Sequence, residues 1–267
     1  MKKAMAAIAN RVLKTVGLRL STLSEEKESR DRYAALVNEA AGLFSEVVFP
    51  GLPSCAGRTD LLSDLVGTQV SEAMYLVEYL HRSVGLDGDV CEFGVAQGAT
   101  SAPLANEIRA AHKSLWLFDS FQGLPKPSSE DILVDDIFDL GSMEKYEGTM
   151  CCQASQVASR LKAIGFPLDR VKVVPGFIEE TIQRSAMPQD VCFAYVDFDF
   201  YRPTVTVLEF LDKALAPGGH AVVDDYGFFS AGVKTAVDEF LKSHADRYDM
   251  TLPFRFASHF CVLSRRH

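Results

Sequence analysis

The spacing of apolar and polar residues changes once along the chain, near residue 85. Before that point, the segments EEKESRDRYAALVNEAAGLF and SEAMYLVEYLHRSV repeat apolar residues at helical spacing, which is typical of amphipathic helices. The segment FPGLPSCAG between them is rich in Pro and Gly and predicts a loop. We therefore expect residues 1–85 to form a helical extension that packs on the core.

From residue 86 onward, short apolar runs alternate with helical segments. The runs DVCEFGV, SLWLFDS, VKVVPG, VCFAYVDFD and GGHAVVDDY each break near a glycine or an acid, and segments such as TVTVLEFLDKAL separate them. This alternation predicts an α/β fold with a doubly wound, mostly parallel sheet over residues 86–267. The last segment, TLPFRFASHFCVLSRR, predicts a closing hairpin that gives one antiparallel edge strand.

Residues 120–150 fit neither pattern. The segment SFQGLPKPSSEDILVDDIFDLGSMEKYEG combines Gly, Pro, Ser and many acids, and it is too long for an ordinary connection between a strand and a helix. We expect a lid-like insertion above the carboxyl ends of the strands, where doubly wound sheets bind their ligands.

The composition is that of a globular protein with one large core, since 48% of the 267 residues are hydrophobic. A net charge of -9 argues against a nucleic-acid-binding face. The chain has no run of ~18 apolar residues, so we expect no transmembrane segment. Its six cysteines form no CxxC pair. We therefore predict a reducing compartment, the cytoplasm, without a disulfide framework or a zinc site.

The first 20 residues, MKKAMAAIANRVLKTVGLRL, are basic and amphipathic. Five cations interrupt the apolar stripe: Lys2, Lys3, Arg11, Lys14 and Arg19. Such a helix can dock on its own domain or on a partner subunit, and the chain could then form a homo-oligomer. A helix lying on a membrane surface is the alternative.

The first strand-to-helix turn, CEFGVAQGATS, has the pattern E-x-G-x-x-x-G. Glycine lets a backbone approach a ligand closely, and the helix N-terminus would face that ligand. Ala96 stands where a dinucleotide-binding fingerprint has its second glycine, so the turn is similar instead to that of S-adenosylmethionine-dependent methyltransferases. An ordinary strand-to-helix turn is the alternative. The predicted cofactor residues here are Glu92, Gly94, Val95, Ala96, Gly98, Thr100 and Ser101.

Two further strand ends extend this candidate cofactor site. Asp119 ends the second strand, next to Ser120, and an acid there can accept both ribose hydroxyls of a nucleoside. A helix-capping or turn acid is the alternative for Asp119. Gly176 and Phe177 follow the third strand, where an adenine could lie against backbone and ring.

Four aspartates follow the fourth and fifth strands: Asp197, Asp199, Asp224 and Asp225. Neighbouring strands lie about 4.8 Å apart, so these carboxylates would crowd together. They cannot all ionise unless protons or a cation neutralise them. A divalent cation such as magnesium, manganese or calcium fits such oxygen ligands. We predict Asp197, Asp224 and Asp225 as ligands, with Asp199 behind them or capping the helix near Pro203. In the alternative, these aspartates simply cap the following helices.

The motifs CEFGVAQGATS, LFDSFQGLP, VDFDFYRPTVTVLEFLDKALAPGGHAVVDDYG and GVKTAVDEFL, in this order, resemble those of the macrocin O-methyltransferase (TylF-like) family. The likeness covers residues 88–242. It implies a Rossmann-like seven-stranded sheet, S-adenosyl-L-methionine as methyl donor, and Mg²⁺ held by three aspartates. The matching positions are Asp197, Asp224 and Asp225. It also implies methylation of a hydroxyl, typically on a sugar or another natural product.

The resemblance maps the cofactor turn onto Glu92, Gly94 and Gly98, and the ribose acid onto Asp119. Phe93 and Phe200 are bulkier than we expect at their positions in the motifs. Residues 1–60 and 126–150 match nothing in the family pattern. They are the regions that would shape the acceptor pocket, so the likeness does not imply which small molecule is the acceptor.

A mechanism follows for methyl transfer to a hydroxyl oxygen. A bound cation lowers the pKa of a hydroxyl, and a base must then take the proton. None of the six histidines is an obvious base, so we predict Asp197 as the catalytic base and a cofactor neighbour, with Asp199 as the substitute. The alternatives are an NAD-dependent oxidoreductase, a non-catalytic nucleotide-binding module, and a methyltransferase acting on a catechol-like phenol.

Overall fold

The computed structural model describes residues 23–267, and the basic segment discussed for residues 1–20 lies outside them. The helical part before the sheet consists of α1 (Leu23–Leu43), which runs into a π-helical turn at Phe44–Val48, then α2 (Arg58–Ser63) and α3 (Val70–Ser83). Helix α3 is buried along most of its length and packs on the sheet through side chains such as Met74 and Leu76.

Seven strands within residues 23–267 form one sheet. They are β1 (Asp89–Phe93), β2 (Leu115–Asp119), β3 (Val171–Pro175), β4 (Val191–Val196), β5 (Leu215–Val223), β6 (Tyr248–Thr251) and β7 (Cys261–Arg265). Their order is β3-β2-β1-β4-β5-β7-β6. The first five strands run parallel, and β7 pairs antiparallel with β5 and β6. The predicted fold class is confirmed, with the antiparallel pairing at one edge.

Helices cover both faces of the sheet. They are α4 (Ser101–Glu107), α5 (Ala154–Ala163), α6 (Ile178–Arg184), α7 (Tyr201–Ala214) and α8 (Ala231–Ser243). One core lies between the sheet and α3, α4 and α5, and a second lies between the sheet and α6, α7 and α8. Because side chains alternate along a strand, Phe193 and Tyr195 of β4 enter the first core while Ala194 and Val196 enter the second.

The two bulky phenylalanines of the motifs are core residues. Phe93 is fully buried in the second core, where its ring stacks on Phe118 with centroids 4.7 Å apart. Phe200 is 1% exposed and stacks on Phe229 at the base of the insertion. Both departures from the expected pattern are therefore accommodated by packing.

The insertion over residues 120–150 has a small core of its own. Leu124, Met143 and Tyr146 pack with Phe200 and Phe229, and a short 3-10 helix spans Met143–Tyr146. An isolated antiparallel bridge joins Leu133 to Ser230. The insertion is thus joined to the segment that follows β5.

A single buried carboxylate fastens the insertion to two helix starts. Asp131 is 5% exposed, and its Oδ1 accepts hydrogen bonds from the Tyr201 backbone N–H (2.8 Å) and the Ser230 hydroxyl (3.0 Å). Its Oδ2 accepts from the backbone and hydroxyl of Ser128, both at 2.8 Å. A Cβ at Gly232 would lie 2.0 Å from Asp131 Oδ1, so this carboxylate needs the glycine beside it.

The hydropathy of the described helices and the state of the cysteines bear on the sequence predictions. The helices between Leu23 and Ser243 all fall short of the length and hydropathy that a bilayer-spanning segment requires. The six cysteines, all within the described residues, carry free thiols, and those at Cys91, Cys192 and Cys261 are buried.

Candidate active site

A cleft of about 660 Å³ opens at the carboxyl ends of the parallel strands. It lies beside the point where the strand order reverses between β1 and β4, which is where doubly wound sheets leave a crevice. Its walls come from the turns after β1 to β5, from the insertion, and from the loop before α3. The cleft therefore joins all the candidate strand ends identified from the sequence.

The glycine turn after β1 is shaped by close contact with β4. Gly94 has φ +87°, and a Cβ there would lie 1.7 Å from the carbonyl oxygen of Asp197. The Asp197 backbone N–H donates to the Phe93 carbonyl at 2.7 Å, which draws the two strand ends together. Gly98 has φ +76° and packs against Val157 of α5. The glycines thus serve the packing of the turn itself.

Glu92 lies beneath this turn, away from the cleft surface. Its carboxylate is fully buried and accepts hydrogen bonds from the hydroxyls of Thr100 and Ser101, the latter at 2.5 Å. Burial raises the pKa of Glu92 to about 7, although the two hydroxyls oppose this change. Of the residues predicted for this turn, Gly94, Val95, Ala96 and Thr100 line the cleft. Glu92, Gly98 and Ser101 support it from behind.

Asp119 connects the turn after β1 with the turn after β2. Its Oδ2 accepts from the backbone N–H groups of Val95 and Ala96, each at 2.8 Å, and its Oδ1 accepts from Phe121 at 2.6 Å. A carboxylate offers about four acceptor positions, so one is left for a ligand. Asp119 lines the cleft together with Ser120, Gly176 and Phe177.

Three aspartates converge on the floor of the cleft. Carboxylate oxygens of Asp197, Asp199 and Asp225 all lie within 4.8 Å of one another. Asp199 and Asp225 have φ values of 62° and 56°, in the left-handed region that aspartate tolerates better than most residues. The backbone therefore leaves the strand direction at both positions. We call Asp197, Asp199, Asp224 and Asp225 the acid cluster.

Asp224 is held differently from the other three acids. Its Oδ2 accepts from the Tyr195 hydroxyl at 3.0 Å, and its Oδ1 accepts from the Asp225 backbone N–H at 2.8 Å. The carboxylates grouped closely enough to share a cation thus include Asp199 in place of Asp224, which was part of the predicted ligand set. Asp224 still lines the same cleft.

None of these aspartates caps the helices that follow them. The N-cap residue of α7 is Phe200, and the first α7 amide donates to Asp131 of the insertion. The α8 N-terminus is capped by the Ser230 hydroxyl, which accepts from Gly232. The prediction that Asp199 caps the helix near Pro203 is therefore wrong, because the insertion supplies that cap.

The cluster crowds carboxyl groups together in a partly exposed part of the cleft. Burial and repulsion by neighbouring carboxylates raise the pKa of Asp197 and Asp225 well above the usual range. The same two causes raise the pKa of Asp199 to about 8. No Lys, Arg or His occurs among the described residues that line the cleft. His259, which is not among the lining residues, opposes the rise in the pKa of Asp224. A group of converging carboxylate oxygens with no cationic side chain in the cleft wall is a donor set that suits a hard divalent cation.

Two residues that contact the acid cluster, Glu72 and Tyr195, were not predicted from the sequence. Glu72, on α3, is 2% exposed, and its Oε1 accepts from the Tyr195 hydroxyl at 3.0 Å. The same hydroxyl lies 3.2 Å from Asp197 Oδ2. Glu72 precedes Tyr195 by 123 residues and follows the ordinary polar pattern of a helix, so no local signal distinguishes it.

Sequence relatives of the chain are O-methyltransferases. The chain is 30% identical over 145 residues to the 8-demethyl-8-(2,3-dimethoxy-alpha-L-rhamnosyl)-tetracenomycin-C 4'-O-methyltransferase of Streptomyces olivaceus, covering 53% of this chain and 54% of that enzyme. The likeness thus spans about half the length of that relative. It is 28% identical over 210 residues to the mycinamicin III 3''-O-methyltransferase of Micromonospora griseorubida, covering 76% of this chain and 81% of the relative.

Solved structures share the fold. The O-methyltransferase NovP superposes with a TM-score of 0.65 at 18% identity, over 88% of this chain and 100% of NovP. The calicheamicin methyltransferase CalS11 gives a TM-score of 0.55 at 21% identity, over 92% of this chain and 94% of CalS11. At these identities the likeness concerns the fold.

The family model described as Macrocin-O-methyltransferase (TylF) matches residues 68–262, which is more than half of the chain. This range includes the glycine turn, Asp119, the acid cluster and Glu72. These comparisons give no support to an NAD-dependent oxidoreductase. The resemblance seen in the sequence motifs is confirmed: the chain belongs to the macrocin O-methyltransferase (TylF) family, a family of methyltransferase enzymes.

Proposed function

We propose that the protein transfers the methyl group of S-adenosylmethionine to a hydroxyl oxygen of a sugar-bearing natural product, with a divalent cation at the acid cluster. The observation that carries the proposal is that the glycine turn and the acid cluster open into one cleft. Membership of a methyltransferase family gives the reaction class. The names of the relatives, which include O-methyltransferases of a rhamnosyl-tetracenomycin, of mycinamicin III and of demethyldecarbamoylnovobiocin, suggest the acceptor class.

The cofactor half of the cleft lies over β1, β2 and β3. Val95 and Ala96 form its backbone floor, and the remaining acceptor position of Asp119 is available to a ribose hydroxyl. Gly176 and Phe177 provide a flat wall of backbone and ring for an adenine. With the nucleoside held in this way, the sulfonium end of the donor would lie toward Asp197, whose carboxylate would attract its positive charge.

Magnesium, or another divalent cation, would be held by Asp197 and Asp225 together with one further carboxylate. The sequence pattern names Asp224 as that third ligand, and the observed grouping names Asp199. When bound, the cation supplies Lewis acidity, which lowers the pKa of an acceptor hydroxyl beside it.

The proton of the acceptor hydroxyl needs a carboxylate to receive it. A carboxylate in direct contact with a cation is the weaker base, because the positive charge favours its ionised form. If Asp224 is the third ligand, Asp199 is free of the cation, and we assign proton acceptance to Asp199. Asp197 is the alternative base. In-line positioning of the donor and acceptor by the cleft walls supplies a further large share of the rate enhancement, of the order of 7–11 kcal/mol for well-aligned reactants.

The acceptor half of the cleft favours a neutral, partly apolar molecule. The walls there are apolar or aromatic: Val66, Leu124, Pro125, Ile137, Phe138, Met150, Phe228 and Phe229. Val66 and Phe138 are 59% and 52% exposed at the rim, so they offer surface to an apolar aglycone. A nucleoside diphosphate would need cationic partners, and the described lining residues include none.

Methylation of matched acceptors tests this function. We expect methylation of a neutral rhamnosyl glycoside of an aromatic aglycone and little or none of TDP-rhamnose, measured by mass spectrometry with S-adenosylmethionine and Mg²⁺. Asp197→Asn and Asp199→Asn should each lower kcat by about 10²–10⁴, the range for loss of acid–base catalysis. Asp87→Asn, an exposed acid outside the cleft, is the matched control.

Two outcomes would contradict separate parts of the proposal. Full activity in excess EDTA would refute the role of the cation. Binding of NAD but not of S-adenosylhomocysteine in calorimetry would refute the choice of cofactor.

Four further predictions accompany this function. The helical part before residue 86 packs on the catalytic domain as an extension of it, and the insertion over residues 120–150 acts as a lid. The protein works in the cytoplasm, which the free and partly buried thiols support, since a reducing compartment preserves them. A homo-oligomer would be detected by light scattering of the purified full-length chain.

A further inference from the structure

Glu72 is a buried acid without a cationic partner. It lies in the first turns of α3, where only 2% of its surface is exposed. The groups that face it are the Tyr195 hydroxyl and the carboxylates of Asp224 and Asp197. No ion pair among residues 23–267 involves Glu72. An acid in this setting lowers stability unless its contacts serve another purpose.

The Tyr195 hydroxyl is the hub of these contacts. It lies 3.0 Å from Glu72 Oε1, 3.0 Å from Asp224 Oδ2 and 3.2 Å from Asp197 Oδ2. Tyr195 is fully buried on β4, so its ring cannot swing away from this position. A hydroxyl carries one proton and two acceptor positions, so it donates to one of these oxygens at a time and contacts the others by accepting from a protonated carboxyl.

The Tyr195 hydroxyl contacts two residues of the acid cluster. Asp224 and Asp197 each present one oxygen to Tyr195, which leaves their other oxygen to face elsewhere. The Glu72 carboxylate completes these contacts from the side of α3. The orientation of Asp224 therefore depends on a helix that lies outside the strand ends.

We propose that Glu72 is a positioning residue for the acid cluster: together with Tyr195 it fixes the carboxylates of Asp224 and Asp197 in the orientation that receives a divalent cation. This inference rests on the proposed function, because it assumes that the cluster binds a cation. Groups that orient metal ligands typically contribute 10–100-fold in metal affinity. Glu72 acts through the ligands and does not itself contact the substrate.

A purely structural role makes a different prediction. If Glu72 served only the packing of α3, its replacement would lower stability and leave cation affinity unchanged in the folded protein. If Glu72 serves the cluster, Glu72→Gln should keep or raise the melting temperature, since one buried acid is removed, while cation affinity falls. Stability and affinity would then change in opposite directions.

The test is calorimetric titration of the full-length protein with MgCl₂, with S-adenosylhomocysteine present and no acceptor. We expect Glu72→Gln and Tyr195→Phe each to weaken Mg²⁺ binding by roughly 10–100-fold. The affinity for S-adenosylhomocysteine should stay unchanged. Glu78→Gln, the same substitution on the same helix but at an acid paired with the half-exposed Arg82, should bind Mg²⁺ like the wild type.

Two further measurements separate the outcomes. The double variant should bind Mg²⁺ about as weakly as each single variant, because the two substitutions remove the same set of contacts. Raised Mg²⁺ should restore kcat in Glu72→Gln. Wild-type affinity in a folded Glu72→Gln protein would overturn the inference while leaving the proposed function standing. A wild-type protein that binds no divalent cation would overturn the cation part of the proposed function, and this inference with it.

Discussion

At the scale of single residues, the site depends on backbone conformations that few side chains tolerate. Gly94, Ala96, Asp199 and Asp225 all have positive φ, and all four line the cleft. Strained positions of this kind persist only when surrounding contacts enforce them, and they gather at functional sites. Here the enforcing contacts are the bonds between the ends of β1 and β4 and the carboxylate of Asp119.

Gly94→Ala tests how far the turn depends on its glycine. The added Cβ would overlap the Asp197 carbonyl, whereas Gly57 has a similar φ of +79° and open space around it. Both substitutions place alanine in the left-handed region, at about 1–2 kcal/mol. Gly94→Ala should lower the free energy of unfolding by roughly 1–3 kcal/mol more than Gly57→Ala, because of the overlap. It should also lose affinity for S-adenosylhomocysteine. Urea unfolding and calorimetry measure both effects, and equal behaviour of the two variants would contradict the explanation.

At the scale of elements, the junction between β1 and α4 should make stability depend on pH. Glu92, in β1, has a folded-state pKa of about 7 against an ordinary value of 4.5, because it is buried. The folded protein therefore binds more protons than the unfolded chain between these values. The contribution of Glu92 to stability is full below pH 4.5 and falls by about 3 kcal/mol as the pH rises through 7.

Glu92→Gln should remove this part of the pH dependence. Between pH 5 and pH 8, the variant should become more stable relative to the wild type. Urea unfolding of both proteins gives the difference in unfolding free energy at each pH. Subtraction of the two proteins cancels the other acids, which are common to both. A difference that stays constant across this range would contradict a raised pKa for Glu92.

The insertion is the second element with a testable consequence. Asp131 joins it to the starts of α7 and α8, so Asp131→Ala should increase proteolytic cleavage within residues 120–150 several-fold. Asp135→Ala, an exposed acid of the same segment, should cleave like the wild type. If the insertion is a lid, adding S-adenosylmethionine should protect residues 120–150 in the wild type. Unchanged cleavage would count against the lid.

At the scale of the whole molecule, the cleft is assembled from parts that are distant in sequence. The loop before α3, the strand ends and the insertion meet around one volume, with the proposed donor half over β1 to β3 and the acid cluster over β4 and β5. We therefore expect acceptor specificity to depend on the insertion, since it supplies much of the apolar wall.

Phe138→Ser tests this division. The ring is half exposed at the cleft rim, so its loss should lower kcat/KM for a glycoside with an aromatic aglycone by about tenfold, as expected for about 1–1.5 kcal/mol of lost apolar contact. Affinity for S-adenosylhomocysteine should not change. Phe256→Ser, which removes an equally exposed ring away from the cleft, is the control. An equal loss in both variants would show that the rim does not bind the acceptor.

The sequence by itself determined the features that local chemistry specifies. Runs of buried residues that end at Gly or Asp predicted the parallel strands, since a strand covered on both faces must be apolar along its length. The order of the motifs predicted the family, and the strand-end rule placed the insertion, the glycine turn and the aspartates at one edge of the sheet.

Only the tertiary structure decided how these pieces contact one another. Side-chain direction at a strand end depends on where the backbone leaves the strand, so the grouping of Asp199 with Asp197 and Asp225 could not be predicted from the order of residues. Capping of α7 by Asp131 and the approach of Glu72 to Tyr195 join segments 70 and 123 residues apart. Contacts at that separation leave no periodic trace in a sequence, because packing of the whole chain brings them together.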